Sequence, residues 1–280
     1  MKEELKILII IGILHYISSV YDFSYSEWRN YPACRLGRLQ SPIEIKEAES
    51  KYSNNFTFVY QNYKVINSIS IGKDATNFAL TSDVTQGGYI NFERGGVIKQ
   101  YELIRIDIYP GLHKIDGEKS DYELHLVHKK NLDFNTNKNQ YRSIQDANMF
   151  LTVVLRYNKK ANCENKICAS DAGLLKTLKT GATNFNLNNY SIFQEKRAFF
   201  YEGASLHIPC DENVNYYIVR DIFVLDGDLD FHEIDDNKIE ISQTYDRPIY
   251  KNFMNYKELM KSNVIFVKMF SLLLSIFILL

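Results

Sequence analysis

The sequence predicts a mainly β (α+β) protein, a single domain around a large antiparallel or mixed sheet. Three observations predict it. Alternating or continuous apolar runs recur at residues 56–59, 65–71, 89–92, 101–109, 122–127, 150–157 and 216–224, the pattern of half-buried and fully buried strands. Turn pairs such as Gly87-Gly88, Gly95-Gly96 and Asp116-Gly117 separate several of them. Gly (13) and Pro (5) are sparse while Tyr (20) and Phe (17) are abundant, which suits sheet faces packed with aromatics. Helix is scarce. The clearest candidate opens near Ser170-Asp171, an N-cap type start, and carries Leu174, Leu175 and Leu178 at helical spacing before Gly181.

A length of 280 residues, 45% of them hydrophobic, is enough for a substantial core. No repeat, low-complexity tract or linker divides residues 21–261, so they are read as one domain. Lys plus Arg total 33 against 34 for Asp plus Glu, which leaves no positive excess to neutralise a phosphate backbone and argues against a nucleic-acid partner.

Residues 1–20 have the layout of a secretory signal peptide: two lysines by Lys6, an apolar run from Ile7 to Leu14, and small residues at Ser18 and Ser19. A buried N-terminal helix or strand is the alternative. Residues 262–280 form a C-terminal hydrophobic anchor signal, either of the glycosylphosphatidylinositol (GPI) type or a short membrane anchor interrupted by Lys268. Both place the mature protein in the secretory pathway and then outside the cell or at its surface, attached to a membrane.

That compartment is oxidising, so Cys34, Cys163, Cys168 and Cys210 are read as two disulfides rather than a metal site. Four cysteines allow three pairings. The short spacing makes a local Cys163–Cys168 bridge the economical choice, leaving Cys34 with Cys210. The triplets starting at Asn55 and Asn189 match the N-glycosylation acceptor pattern.

Four strings then occur in order: Gln40-Ser41-Pro42-Ile43-Glu44-Ile45, Tyr122-Glu123-Leu124-His125-Leu126-Val127-His128, Phe199-Phe200-Tyr201-Glu202-Gly203 and Asp246-Arg247-Pro248-Ile249. Together they resemble the α-class carbonic anhydrase family over essentially all of residues 28–247. The resemblance implies a large, twisted, mostly antiparallel central sheet of about ten strands with small surface helices. It also implies the Cys34–Cys210 bridge, because exported members join cysteines at those two places. Family chemistry needs three neutral imidazoles on Zn2+, which lowers the pKa of bound water to ~7 and yields a hydroxide that attacks CO2.

Carried over residue by residue, the metal-ligand positions fall on Asp107, Tyr109 and His125. Only His125 is retained. A carboxylate could bind zinc, but a neutral phenol with pKa ~10 is a poor ligand. Glu123 falls at the carboxylate that orients the third ligand, and His113 at a structural histidine. Leu206 or His207, depending on a one-residue gap, falls where a threonine hydroxyl orients the zinc-bound hydroxide. Leu112 stands where that threonine's carboxylate partner is expected, and Ile69 or Ser70 where the proton-shuttle histidine belongs.

His128, three positions from His125, is expected on the opposite strand face, and the acidic stretch around His232 is read as solvated surface. The losses match the family's catalytically inactive relatives. The expected function is therefore a secreted or cell-surface pseudoenzyme, a binding or structural module without a cofactor and with a protein partner the sequence does not identify. The alternative is an active zinc-dependent carbonic anhydrase converting CO2 to bicarbonate with an altered ligand set, such as Asp107 and His125 completed by His207 or water.

Overall fold

The computed structural model describes Cys34 and residues 37–69, 71–73, 79–134, 148–160, 169–170, 173–190, 197–207, 210–225 and 246–254. Outside them lie the expected signal peptide, the C-terminal anchor segment, Cys163 with Cys168, Ser70 and the acidic stretch around His232. In chain order the strands are β1 (Glu44–Ile45), β2 (Lys51–Tyr52), β3 (Phe56–Tyr63), β4 (Ile66–Ile69), β5 (Gly72–Lys73), β6 (Leu80–Asp83), β7 (Gly88–Arg94), β8 (Val97–Pro110) and β9 (Lys114–Ile115). There follow β10 (Glu118–Lys119), β11 (Tyr122–Lys130), β12 (Phe150–Asn158), β13 (Ala169–Ser170), β14 (Ala182–Phe185), β15 (Ala198–Gly203), β16 (Val214–Val224) and β17 (Tyr250–Lys251).

Twelve of these strands make one sheet, in the order β2-β17-β15-β16-β12-β11-β8-β6-β5, with β13 beside β16 and the β3–β7 pair joined to β8. The 14-residue β8 is long enough to serve two neighbours on one edge. Its first half pairs with β7 and its second half with β6, while β11 runs along the other edge. The sheet is mostly antiparallel, as expected. Parallel ladders also occur at β12–β16, β13–β16 and β2–β17.

Each apolar run of the sequence contains a strand. The run at 65–71 is the most reduced, to β4. The helix begins later than the sequence suggests: α1 spans Leu174–Thr180, with Gly173 at its N-cap in the left-handed region (φ 79°). Ser170 instead belongs to β13 and pairs with Val224. A backbone ladder to β16 thus takes the residue that local capping preference would give to a helix.

Because successive strand residues point to opposite faces, alternation sorts the sheet into two layers. Ile106 and Ile108 of β8, Leu124 and Leu126 of β11 and Tyr217 of β16 enter the main core, which α1 covers with Leu174, Leu175 and Leu178. The intervening residues Val154, Tyr201, Tyr216 and Ile218 form a second cluster on the other face with Ile43 and Ile45. Each fully buried apolar side chain of this kind stabilises the fold by about 1.5–3 kcal/mol. Asp107, Tyr109, Glu123 and His125 occupy the alternate positions of β8 and β11, and so emerge on that second face.

Close approach fixes one sequence choice there. A Cβ on Gly203, at the end of β15, would meet Ser41 Oγ at 2.3 Å, so glycine lets the Ser41 segment lie against β15.

Candidate functional site

Register assembles the site. On β11, His125 stands opposite Asp107 of β8, and Glu123 stands opposite Tyr109. Thr81 of β6 lies on the far side of Asp107. Four chemically active side chains thus form a rectangle on two adjacent strands, and all four are nearly or wholly inaccessible to solvent. His125 is sandwiched by aromatics, with its ring centroid 4.6 Å from that of Tyr109 and 6.4 Å from that of Tyr216.

Glu123 is the hub of the inner half. Its Oε1 accepts from the backbone N–H groups of Leu112 (3.1 Å) and His113 (2.7 Å). Its Oε2 lies 2.9 Å from His113 Nδ1 and 2.9 Å from His125 Nε2. The network continues from His113 Nε2 to the Tyr201 hydroxyl at 2.7 Å, and from there to Ser41 Oγ at 3.0 Å. Burial alone would raise the Glu123 pKa, but the two imidazoles outweigh it and hold the carboxyl well below the usual range. Burial also pushes the His125 imidazole down, with Glu123 pulling against it. Where Nε2 of His125 donates to this carboxylate, Nδ1 is left as the lone-pair nitrogen.

Asp107 is the hub of the outer half. Its Oδ1 accepts from Thr81 Oγ1 at 2.6 Å, and Arg105 Nε reaches both carboxylate oxygens at 2.9 Å. Arg105 precedes Asp107 by two residues, which places it on the same face. His207 arrives from the turn after β15: its Nε2 lies 3.2 Å from Asp107 Oδ2 and 2.8 Å from the Tyr109 hydroxyl. Against the penalty of burial, His207, Arg105 and Thr81 hold the Asp107 carboxyl well below its ordinary range. The turn is itself fixed. The Cys210 N–H donates to the His207 carbonyl at 2.8 Å, and Cys210 is bridged to Cys34, the expected long-range disulfide.

A cavity of about 70 Å³ opens between these groups. Asp107, Tyr109, His125 and His207 line its polar side, and Val127, Leu206 and Val214 its apolar side. The volume is that of roughly two water molecules at their liquid volume. Leu206 therefore presents an apolar wall and His207 an imidazole where sequence reasoning expected a lost hydroxyl. Leu112 packs with Tyr109 and Leu206 in a small apolar cluster. Ile69 is buried in the main core and does not line the cavity. His128 points away from the site, as expected, with Nε2 2.8 Å from the Tyr63 hydroxyl and Nδ1 3.2 Å from the Leu151 carbonyl. Asn55 and Asn189 are both exposed.

Among the described residues, the His, Cys, Asp and Glu groups that gather three donor atoms within 4.8 Å are His113, Glu123 and His125. That group is already a closed hydrogen-bond network, in which the nitrogens directed at Glu123 need protons to make their bonds. Asp107, Tyr109 and His125 do not fit a zinc ion: Asp107 is bound by Arg105, Thr81 and His207, the Tyr109 hydroxyl is directed to His207, and one imidazole remains. Three contributors to this arrangement were given no site role by the sequence reading. Arg105 had a signal in its i, i+2 spacing from Asp107, Tyr201 stood only within a string that carries the family resemblance, and Thr81 had no signal.

The model of the eukaryotic-type carbonic anhydrase family matches residues 24–267. The chain belongs to this family. Carbonic anhydrase 6 of Mus musculus is 25% identical over 274 residues, covering 87% of this chain and 82% of that protein. Carbonic anhydrase 1 of Oryctolagus cuniculus is 25% identical over 196 residues, covering 66% of this chain and 80% of that protein. Among solved structures, the α-carbonic anhydrase of Thermovibrio ammonificans in complex with the inhibitor sulfanilamide aligns with a TM-score of 0.57 at 14% identity, over 81% of this chain and 94% of that one. Dioscorin complexed with ascorbate aligns with the same TM-score at 17% identity, over 82% and 94%. At these identities the two structures establish a shared carbonic anhydrase fold and nothing about a shared ligand.

Proposed function

We propose that this member of the carbonic anhydrase family is a pseudoenzyme, an exported binding or structural module in which Asp107 and Tyr109 replace two zinc-ligand imidazoles. The observation that supports this most directly is the His207 contact pair. The two side chains that should face a metal are engaged by His207 Nε2 at 3.2 and 2.8 Å. A hydrogen-bonded cluster thereby satisfies the polar groups of a pocket that zinc would otherwise neutralise. The scaffold behind it is intact, since Glu123 still gathers His113, His125 and two backbone N–H groups.

Export is supported by the Cys34–Cys210 bridge and by the exposure of Asn55 and Asn189, which leaves both open to glycosylation. Among the described residues no helix is long and apolar enough to cross a membrane, so attachment through residues 262–280 is part of the proposal.

A second reading, a zinc-dependent carbonic anhydrase using Asp107 and His125 with His207 or water, is favoured by the 3.2 Å approach of His207 to Asp107. The phenol wedged against the same nitrogen opposes it. The rate of CO2 hydration by the full chain, with and without added zinc, decides between them. Rates at the uncatalysed level in both conditions are expected, and zinc-dependent turnover would overturn the proposal.

A further inference from the structure

The two glycan-acceptor triplets, far apart in sequence, meet the same strand. Asn55 directly precedes Phe56, the first residue of β3, and its carbonyl accepts from the Gly95 N–H at 2.8 Å. Asn189 ends a short 3-10 turn, Leu187–Asn189, whose Asn188 grips the last residue of β3. Asn188 Nδ2 donates to the Tyr63 carbonyl at 2.6 Å, and its Oδ1 accepts from the Tyr63 N–H at 3.4 Å. Both acceptor asparagines are exposed, so one stands open at each end of β3. We propose that Asn55 and Asn189 carry N-linked glycans that guard the outer edge of β3 against pairing with a second copy of this chain. The inference rests on the reading above that the chain is exported, since this modification belongs to secreted proteins.

The edge calls for a guard. β3 pairs with β7 on one side, and no described strand lies on its other side. Ladder bonds alternate along an antiparallel strand, so every second residue turns its N–H and C=O outward, and such a row is a template for another chain. At Tyr63 the Asn188 amide takes that chain's place. The strand sequence, Phe56-Thr57-Phe58-Val59-Tyr60-Gln61-Asn62-Tyr63, is rich in aromatic and β-branched residues and holds no charge and no proline, the composition that favours intermolecular sheet.

The strands at the two ends of the large sheet have other defences. β2 and β5 are two residues long, and each includes a lysine, Lys51 and Lys73. β3, at eight residues, offers the bulge between Phe58 and Tyr60, which interrupts pairing locally and leaves the residues on either side of it able to pair. A second copy of the strand would pair antiparallel about a twofold axis, bringing the Asn55 end of each β3 beside the Tyr63 end of the other. The acceptors of both copies then crowd the seam at both its ends, and bulky, hydrated glycans there exclude the pair.

The test uses the full chain made in a eukaryotic secretory host. Peptide mass spectrometry is expected to find glycan on both Asn55 and Asn189. Trimming the folded protein with an endoglycosidase that leaves one sugar on each asparagine should lower the monomer fraction severalfold by light scattering. Val59→Lys puts a charge on β3 at a side chain that is 48% exposed, and should keep the trimmed protein monomeric. The Asn55→Gln, Asn189→Gln double variant should self-associate likewise, and trimming already folded protein keeps the test decisive where that variant fails to fold. Trimmed protein that stays monomeric overturns the guard, as does self-association that survives Val59→Lys. Bare asparagines in a chain that has lost residues 1–20 refute this inference and leave export standing, whereas bare asparagines in a chain that retains them refute both.

Discussion

The Tyr109 hydroxyl lies 2.8 Å from His207 Nε2, across 98 residues of sequence. That contact, with the 3.2 Å approach of the same nitrogen to Asp107 Oδ2, links the buried end of β8 to the turn that carries the disulfide-bonded Cys210. It sets the character of the pocket, because it gives the phenol a partner that is neither water nor metal.

Replacing Asp107 and Tyr109 by histidine should return zinc to the scaffold. The Asp107→His, Tyr109→His double variant is expected to bind close to one zinc per chain by elemental analysis, against little in the wild type. Its CO2 hydration should stay well below that of an intact enzyme, since Leu206 and Leu112 supply neither the orienting hydroxyl nor its carboxylate partner. A folded double variant that takes up no zinc would show that the scaffold itself has drifted.

Glu123 is expected to matter more for stability than any other polar side chain of the site. Glu123→Gln keeps the shape but turns an NH2 group towards His113 Nδ1 and His125 Nε2, both of which Glu123 meets at 2.9 Å. Breaking a buried, charge-assisted cluster costs about 3–5 kcal/mol. Urea denaturation measures it, and a loss below about 1 kcal/mol would mean the network relaxes around the amide.

Stability should fall on acidification in two stages. Burial pushes the His128 imidazole down to about 4, so between there and its ordinary value near ~6.5 the unfolded chain binds more protons than the folded one. Stability is therefore full above pH ~6.5 and declines towards pH 4, by up to about 3 kcal/mol from this group, with His125 adding in the same direction. Asp107 and Glu123 have depressed pKa values, so their contribution is present above the ordinary carboxylate range and is lost only below it. Denaturation curves from pH 7 to 4.5 should show a shallower decline in His128→Gln, and parallel curves would assign the loss to other groups.

The Cys34–Cys210 bridge closes a loop spanning 176 residues, for which the chain-entropy relation gives a stabilisation of about 5 kcal/mol as an upper figure. A Cys34→Ser, Cys210→Ser variant should melt at a lower temperature. It should also show faster hydrogen exchange at the turn that carries His207 than at β11, and uniform change across both would separate the bridge from the site.

The fold was legible because its main-core face is apolar and period two: Ile106 and Ile108 against Leu124 and Leu126 announce paired strands by their spacing alone. The inner half of the site was legible for the same reason. Glu123 and His125, like Asp107 and Tyr109, are two residues apart and must share a face. His207 was legible only through the family resemblance, as a pocket position; its contacts with Asp107 and Tyr109 were not, since they depend on the path of a turn between β15 and β16 and on a distant cysteine, and neither leaves a spacing signal. Thr81 was hidden likewise, because only the lateral pairing of β6 with β8 brings it to Asp107. Ser170 misled in the other direction, as a good cap taken up by a strand.

The cysteine that closes the long bridge also donates its backbone N–H to His207, so how the pocket is closed is decided when the chain is oxidised. Protein made in a reducing cytosol would carry a loosened His207 turn and a more open cavity. Metal content or turnover recorded from such material would describe an immature pocket, and the choice of expression host becomes a variable in judging whether this protein is an enzyme.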